Sequence, residues 1–114
     1  MSQAQKRQSK ESGKQKDQTK RDIETKEQAY VLFYATWCPF SQEFLPIFEE
    51  YSKNNPKECL RVIVDDKPDL CEEFDIEYFP TVILFKKGRI HRRLDAEPGV
   101  GLSKKQLKEL TEKP

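Results

Sequence analysis

The residue best suited to chemistry in this chain is Cys38, in the run Ala35-Thr36-Trp37-Cys38-Pro39-Phe40-Ser41. Upstream of it, Tyr30 to Ala35 is a continuous apolar stretch of strand-forming residues. Downstream, apolar residues recur at helical spacing from Pro39 onward. Cys38 therefore falls at a strand-to-helix junction. Pro39 suits the first helical position, because its missing N–H would be unpaired there anyway and its φ is already helical. Unpaired amides and the helix dipole favour an anion at a helix N-terminus, and thiols so placed have pKa values of roughly 3.5 to 7.5 instead of about 8.5. The predicted chemistry is nucleophilic attack by a thiolate, with no histidine required. The one histidine, His91, has no cysteine at metal-ligand spacing, so no metal site and no cofactor are implied.

The rest of the chain must position that thiol with little apolar material. Of 114 residues, 35% are apolar and 36% charged, which allows one small domain with a modest core. Residues 1–28 hold eight Lys/Arg, five Asp/Glu and six Gln, with Met1, Ala4 and Ile23 as their only apolar side chains. Such a segment buries too little surface to offset its ordering entropy, and it reads as a disordered polar tail ahead of a domain over residues 29–114. The tail carries eight basic against five acidic residues and the domain 13 against 15, a weak polarity that disfavours a nucleic-acid role. The tail lacks the apolar stretch of about 7 to 15 residues that a secretion signal needs, and no run of about 18 apolar residues occurs. The chain is therefore expected to be cytoplasmic and off the membrane; it is also expected to be a monomer, an expectation that rests on no residue pattern. An odd number of cysteines is no disulfide framework and leaves at least one thiol free.

Tyr30 to Ala35 reads as a strand buried on both faces, which belongs to a sheet covered by helices. From Pro39 to about Lys53, Phe44, Leu45, Phe48 and Tyr51 keep helical spacing, with Ile47 beside them and Pro46 as a kink. Leu60 to Val64 is the next strand, parallel to the first by the strand-helix-strand rule. Asp65-Asp66-Lys67-Pro68 opens a short helix carrying Leu70, Cys71 and Phe74 inward. Val82 to Phe85 is a third strand after Tyr78-Phe79-Pro80-Thr81. Ile90 to Leu94 returns as an antiparallel edge whose Arg89, His91, Arg92 and Arg93 protect it from further pairing. Ser103 caps a closing helix through Leu107 and Leu110. Cys71 reads as a buried, inert thiol. Cys59 stays open, and a bond from it to Cys38 would need a Cα separation under about 7 Å, which the strand order disfavours.

Strand, Trp-Cys-x-x, helix resembles the thioredoxin superfamily, over roughly residues 28 to 112. Also shared are Pro46, Phe79-Pro80-Thr81, the Phe85-Lys86-Lys87-Gly88 turn and Leu102 to Leu107 in the last helix. The resemblance implies an α/β thioredoxin fold, a central mixed sheet of about four strands flanked by helices. The family's first strand and helix would have to come from the polar tail, so either a minimal version of the fold or a short added ordered piece is expected. The resemblance also implies that Phe79-Pro80 is cis and faces Cys38, presenting the Phe79 backbone to an extended substrate as one more strand. Trp37, Pro39, Phe40, Phe79 and Pro80 are then the substrate-binding residues, and Cys38 and Ser41 the catalytic pair.

Two departures from the family decide the chemistry. The family's second cysteine is Ser41 here, and a hydroxyl cannot resolve a mixed disulfide, so the centre is expected to be monothiol. Ser41 could hydrogen-bond the Cys38 thiolate or cap the helix. Leu32 stands where the family carries a buried acid that serves the second cysteine, and with that cysteine gone an acid would only cost desolvation energy. Leu32 also favours Ser41 being native to the chain rather than substituted. Cys-Pro-Phe-Ser is similar to the monothiol protein disulfide isomerase class, whose thiol-retention chaperone also runs Trp-Cys-x-Phe-Ser-Gln into a Pro-Ile-Phe-Glu-Glu helix. It is less similar to the monothiol glutaredoxins, iron-sulfur carriers with Cys-Gly-Phe-Ser, because their glycine is Pro39 here and their Gly-Gly pattern is missing. The expected function is thiol-disulfide exchange through Cys38, with cysteine-containing proteins or glutathione as partners. The alternatives are a non-catalytic adaptor, a thiol-retention chaperone and an iron-sulfur carrier.

Overall fold

The structure, a computed structural model, describes residues 19–112. The first of its elements corrects the expected tail. Residues 19–25 form a helix, α1, and Ile23 on it is 1% exposed, seated in the core with Val31, Phe33 and Phe85. The helix is held by backbone approach and charge as well. A Cβ on Gly88 would lie 3.1 Å from the Glu24 Cα, Lys87 N–H donates to the Glu27 carbonyl at 3.1 Å, and Lys20 pairs with Glu73 at 2.8 Å. One isoleucine in a polar helix does not register as an apolar face, yet it fills a site that the sheet provides. The domain thus begins no later than residue 19 instead of at 29, and the part of the tail reading that covers residues 1–18 lies outside the described residues. Ile23→Ala is expected to destabilise the fold by about 2–5 kcal/mol, as for other buried Ile truncations. Urea unfolding would read this as a lower midpoint at unchanged slope, and a shift under about 0.5 kcal/mol would mean that α1 is an ornament.

Strand β1 (Gln28–Tyr34) leads across the junction into α2 (Pro39–Asn54), and β2 (Cys59–Ile63) follows. A single 3-10 turn, Val64–Asp66, and helix α3 (Pro68–Glu73) come next, then β3 (Thr81–Lys86), β4 (Arg89–Asp95) and α4 (Lys104–Glu112). The sheet order is β2-β1-β3-β4. β1 pairs with β2 in parallel from Tyr30↔Cys59 to Tyr34↔Ile63, and with β3 antiparallel from Gln28↔Lys86 to Phe33↔Thr81. β3 and β4 pair antiparallel with an irregularity at Leu84/Phe85, where Ile90 opposes Phe85, Arg92 opposes Leu84, and His91 is the extra residue.

This is a four-stranded mixed sheet with helices on both faces, the thioredoxin fold. Alternation along β1 explains why it is apolar from Ala29 to Tyr34. Ala29, Val31, Phe33 and Ala35 face Ile23 and Leu70 of α1 and α3, with Ile83 and Phe85 beside them. Tyr30, Leu32 and Tyr34 face Phe44 and Phe48 of α2 and Leu107 and Leu110 of α4. The expected single helix after β2 is two pieces, because Lys67 (φ −133°) leaves the helical region before Pro68 starts α3. Helix α2 runs through Pro46 to Asn54. At α4, Ser103 Oγ accepts the Gln106 N–H at 3.2 Å while the Gln106 side chain accepts the Ser103 N–H at 2.9 Å, a reciprocal cap. Among the described residues no helix is long and apolar enough to cross a membrane.

Candidate functional site

Cys38 is the N-cap of α2 with extended backbone (φ −93°, ψ 123°), and Pro39 opens the helix. The first intrahelical bond is Gln42 N–H to the Cys38 carbonyl, 2.9 Å. The amides of Phe40 and Ser41 precede it, so the half-buried thiol sits at the donor-rich end of the helix dipole. Across from it the Phe79–Pro80 peptide is cis. The Cys38 thiol lies 3.8 Å from the Phe79 carbonyl oxygen, within reach of a weak S–H donation. The Pro80 carbonyl is occupied by the Ala96 N–H at 3.1 Å, and Pro80 itself is buried. The main-chain group that faces the sulfur is therefore that of Phe79.

The remaining residues expected at the site divide by exposure. Trp37 is 61% exposed, but its ring is fixed at two points. Its indole N–H donates to Asp65 Oδ2 at 2.8 Å, and its edge meets the Phe79 ring with centroids 6.0 Å apart. Pro39 is exposed and Phe79 half-buried. Phe40 is half-buried against the loop before α4. A Cβ on Gly101 would stand 3.0 Å from the Phe40 ring, and Gly101 has φ +85°, so both space and backbone require glycine there. That loop carries Val100, 63% exposed, and Tyr78 beside Phe79 is 45% exposed.

Ser41 is 1% exposed, and its Oγ accepts the Ala35 N–H at 3.1 Å. The helix-capping alternative is corrected. Position 41 lies inside the first turn, no side chain caps α2, and the serine oxygen serves the end of β1. Leu32 is fully buried among Phe44, Phe48, Val82 and Leu84. An ionised acid in that apolar layer would carry a heavy desolvation cost.

All three cysteines are free and half-buried. Burial, with the Glu58 carboxylate adding to it, pushes the Cys59 thiol up to about 11. Burial, with Asp65 adding to it, also raises Cys71, whose thiol lies 3.9 Å from the Val64 carbonyl. Cys38 and Cys71 pack on the rim of one core layer, and Cys59 belongs to the other.

Asp65 is a site residue that the sequence reading passed over as the start of a helix. It follows β2, the parallel neighbour of β1, so both strands deliver their C-terminal ends, Asp65 and Trp37, to the same edge of the sheet. The available signal was an acidic pair directly after the second parallel strand.

A cysteine at the N-cap of a helix, at a strand-to-helix junction and facing the backbone of a residue before a cis proline, is the arrangement shared with a family of known proteins. The Thioredoxin family model matches residues 11–112. This chain belongs to the thioredoxin family. The thioredoxin of Mycoplasmoides gallisepticum is 33% identical over 90 residues, which are 77% of this chain and 85% of that protein. Endoplasmic reticulum resident protein 44 of Mus musculus is 38% identical over 73 residues, 57% of this chain, which spans only 18% of that protein. A structure of Plasmodium falciparum thioredoxin superposes with a TM-score of 0.75 at 30% identity, covering 85% of this chain and 91% of that one. The family is that of the thioredoxin-like thiol-disulfide oxidoreductases.

Proposed function

We propose that this thioredoxin-family chain is a thiol-disulfide exchange protein with a single attacking thiol, Cys38. The observation that carries the reading is the placement of that thiol at the N-cap of α2, 3.8 Å from the Phe79 carbonyl. In the reaction the Cys38 thiolate attacks one sulfur of a substrate disulfide. A bond from Cys38 to that sulfur forms, the substrate S–S bond breaks, and the other sulfur leaves as a thiolate that takes a proton from solvent. An extended substrate chain lies along Phe79, pairing main chain to main chain. With Ser41 in place of a second thiol, the mixed disulfide persists until an external thiol, a second substrate cysteine or glutathione, attacks it. Isomerisation, deglutathionylation and capture of disulfide-bearing proteins follow from this, and net reduction of disulfides within the site does not.

The experiment is incubation of the reduced chain with glutathione disulfide at neutral pH, followed by peptide mass spectrometry. The expected result is one glutathione on Cys38, removed by added thiol; an unmodified Cys38 would overturn the reading. A second reading is favoured by Trp37, which is 61% exposed beside Phe79 and offers an apolar surface for non-covalent docking of a partner. That adaptor would still hold its partner after Cys38→Ala, whereas covalent capture would be lost.

A further inference from the structure

Arg93, read from sequence as one of four charges shielding an edge strand, is differently placed from an edge charge. Its guanidinium turns back across the sheet end and donates to four acceptor sites. Nη1 donates to the Phe74 carbonyl at 2.9 Å and Nη2 to the Asp75 carbonyl at 3.2 Å. Nε and Nη2 also grip Asp95, at 3.0 Å to Oδ2 and 2.8 Å to Oδ1. The carbonyls belong to the end of α3, where backbone acceptors have no helical partner. Asp75 also holds a left-handed backbone (φ 52°), which aspartate adopts more readily than most non-glycine residues and which turns the chain out of α3.

The network continues toward the site. Asp95 Oδ1 lies 3.3 Å from Thr81 Oγ1, and the same hydroxyl donates to the Tyr78 carbonyl at 2.7 Å. Arg93 thus reaches the segment from 75 to 80 at both ends. It holds the start through two carbonyls and the finish through Asp95 and Thr81. Between those anchors lies Phe79, whose carbonyl faces Cys38.

We infer that Arg93 is a positioning residue for substrate pairing: it fixes the segment from Asp75 to Pro80 so that the Phe79 main chain is presented to an extended substrate beside Cys38. This rests on the exchange reading proposed above. Position here depends on the planar fork of arginine, which can meet a carboxylate side-on while its remaining N–H groups take two carbonyls. A lysine ammonium keeps the charge and loses that geometry.

The test uses the full chain and two disulfides that share a leaving group. One is an unstructured peptide carrying a single cysteine in mixed disulfide with thionitrobenzoate, and the other is the symmetrical aromatic disulfide, which has no peptide main chain. In both, attack by Cys38 releases coloured thionitrobenzoate, so each second-order rate is read directly. Arg93→Ala and Arg93→Lys are both expected to slow the peptide reaction by about tenfold, the kind of loss a small misplacement brings, while the aromatic disulfide stays within about twofold. Full rescue by Arg93→Lys would overturn the inference in favour of charge alone. Parallel loss on both disulfides with a lowered unfolding midpoint would overturn it in favour of a merely structural role, and so would unchanged rates on both. Should Arg93→Ala fail to fold, Asp95→Asn, which leaves the carbonyl contacts in place, carries the same comparison with a smaller expected split. A wild-type chain that reacts with neither disulfide contradicts the exchange reading itself; one that reacts with both while the variants show no split contradicts only the inference about Arg93.

Discussion

Cys38→Ala is expected to remove glutathione adduct formation almost completely, lowering its rate at neutral pH by about a hundredfold. The size follows from what remains. Cys59, pushed up to about 11, is thiolate at pH 7 in only about one part in ten thousand molecules, and Cys71 is raised as well. Neither lies at a helix N-terminus. The loss is chemical, because Cys38 is half-buried on the rim of the core and its replacement by alanine costs stability of only about 1 kcal/mol or less. Intact-mass kinetics with glutathione disulfide, alongside a urea unfolding curve, measure both. A Cys38→Ala variant that still acquires the adduct at more than about a tenth of the wild-type rate would place the chemistry elsewhere.

The second large effect is a gain. Ser41→Cys sets a thiol in the first turn of α2, on the turn that Cys38 caps. An intramolecular thiol so close acts at a very high effective concentration, and the lifetime of a mixed disulfide on Cys38 is expected to fall by at least about a hundredfold. Turnover of a disulfide substrate with an external reductant should appear with it. Two features limit the gain. Ser41 Oγ accepts the buried Ala35 N–H at 3.1 Å, and sulfur is a weaker acceptor, so about 1–2 kcal/mol of stability is expected to go. Leu32 offers no acid to move the proton of the new thiol. An adduct on the Ser41→Cys variant that lives as long as on the wild type would mean that position 41 does not present its side chain to the mixed disulfide.

What was legible beforehand follows from the range over which each signal acts. β1 could be read because a strand buried on both faces must be apolar at every position, and α2 because Phe44 and Phe48 repeat on one turn-spaced stripe. The junction between them fixed Cys38 through neighbours in sequence alone. By contrast, α1 rests on one buried isoleucine, and its other ties, to Glu73 and Gly88, are made with residues about 50 to 65 positions away. Asp65 meets Trp37 only because parallel strands deliver their ends to one edge. Arg93 has the composition of an edge charge, and its contacts with the end of α3 appear only when β4 is laid beside β3. Ser41 stands out in the sequence as the departure from a dithiol site, while its bond to Ala35 depends on the turn between β1 and α2 closing over six residues.

The central claim is that one of three free thiols is chemically poised, and selective alkylation tests it most directly. Native chain is treated with iodoacetamide across a range of pH, and the rate at each cysteine is read by peptide mass spectrometry. The account predicts that Cys38 is modified first and by a wide margin at neutral pH. Cys59 and Cys71 lag there because raised thiols bind their protons, and Cys59 becomes fast only as the pH approaches about 11. Equal rates at the three positions near pH 7, or a Cys38 slower than Cys59, would contradict it.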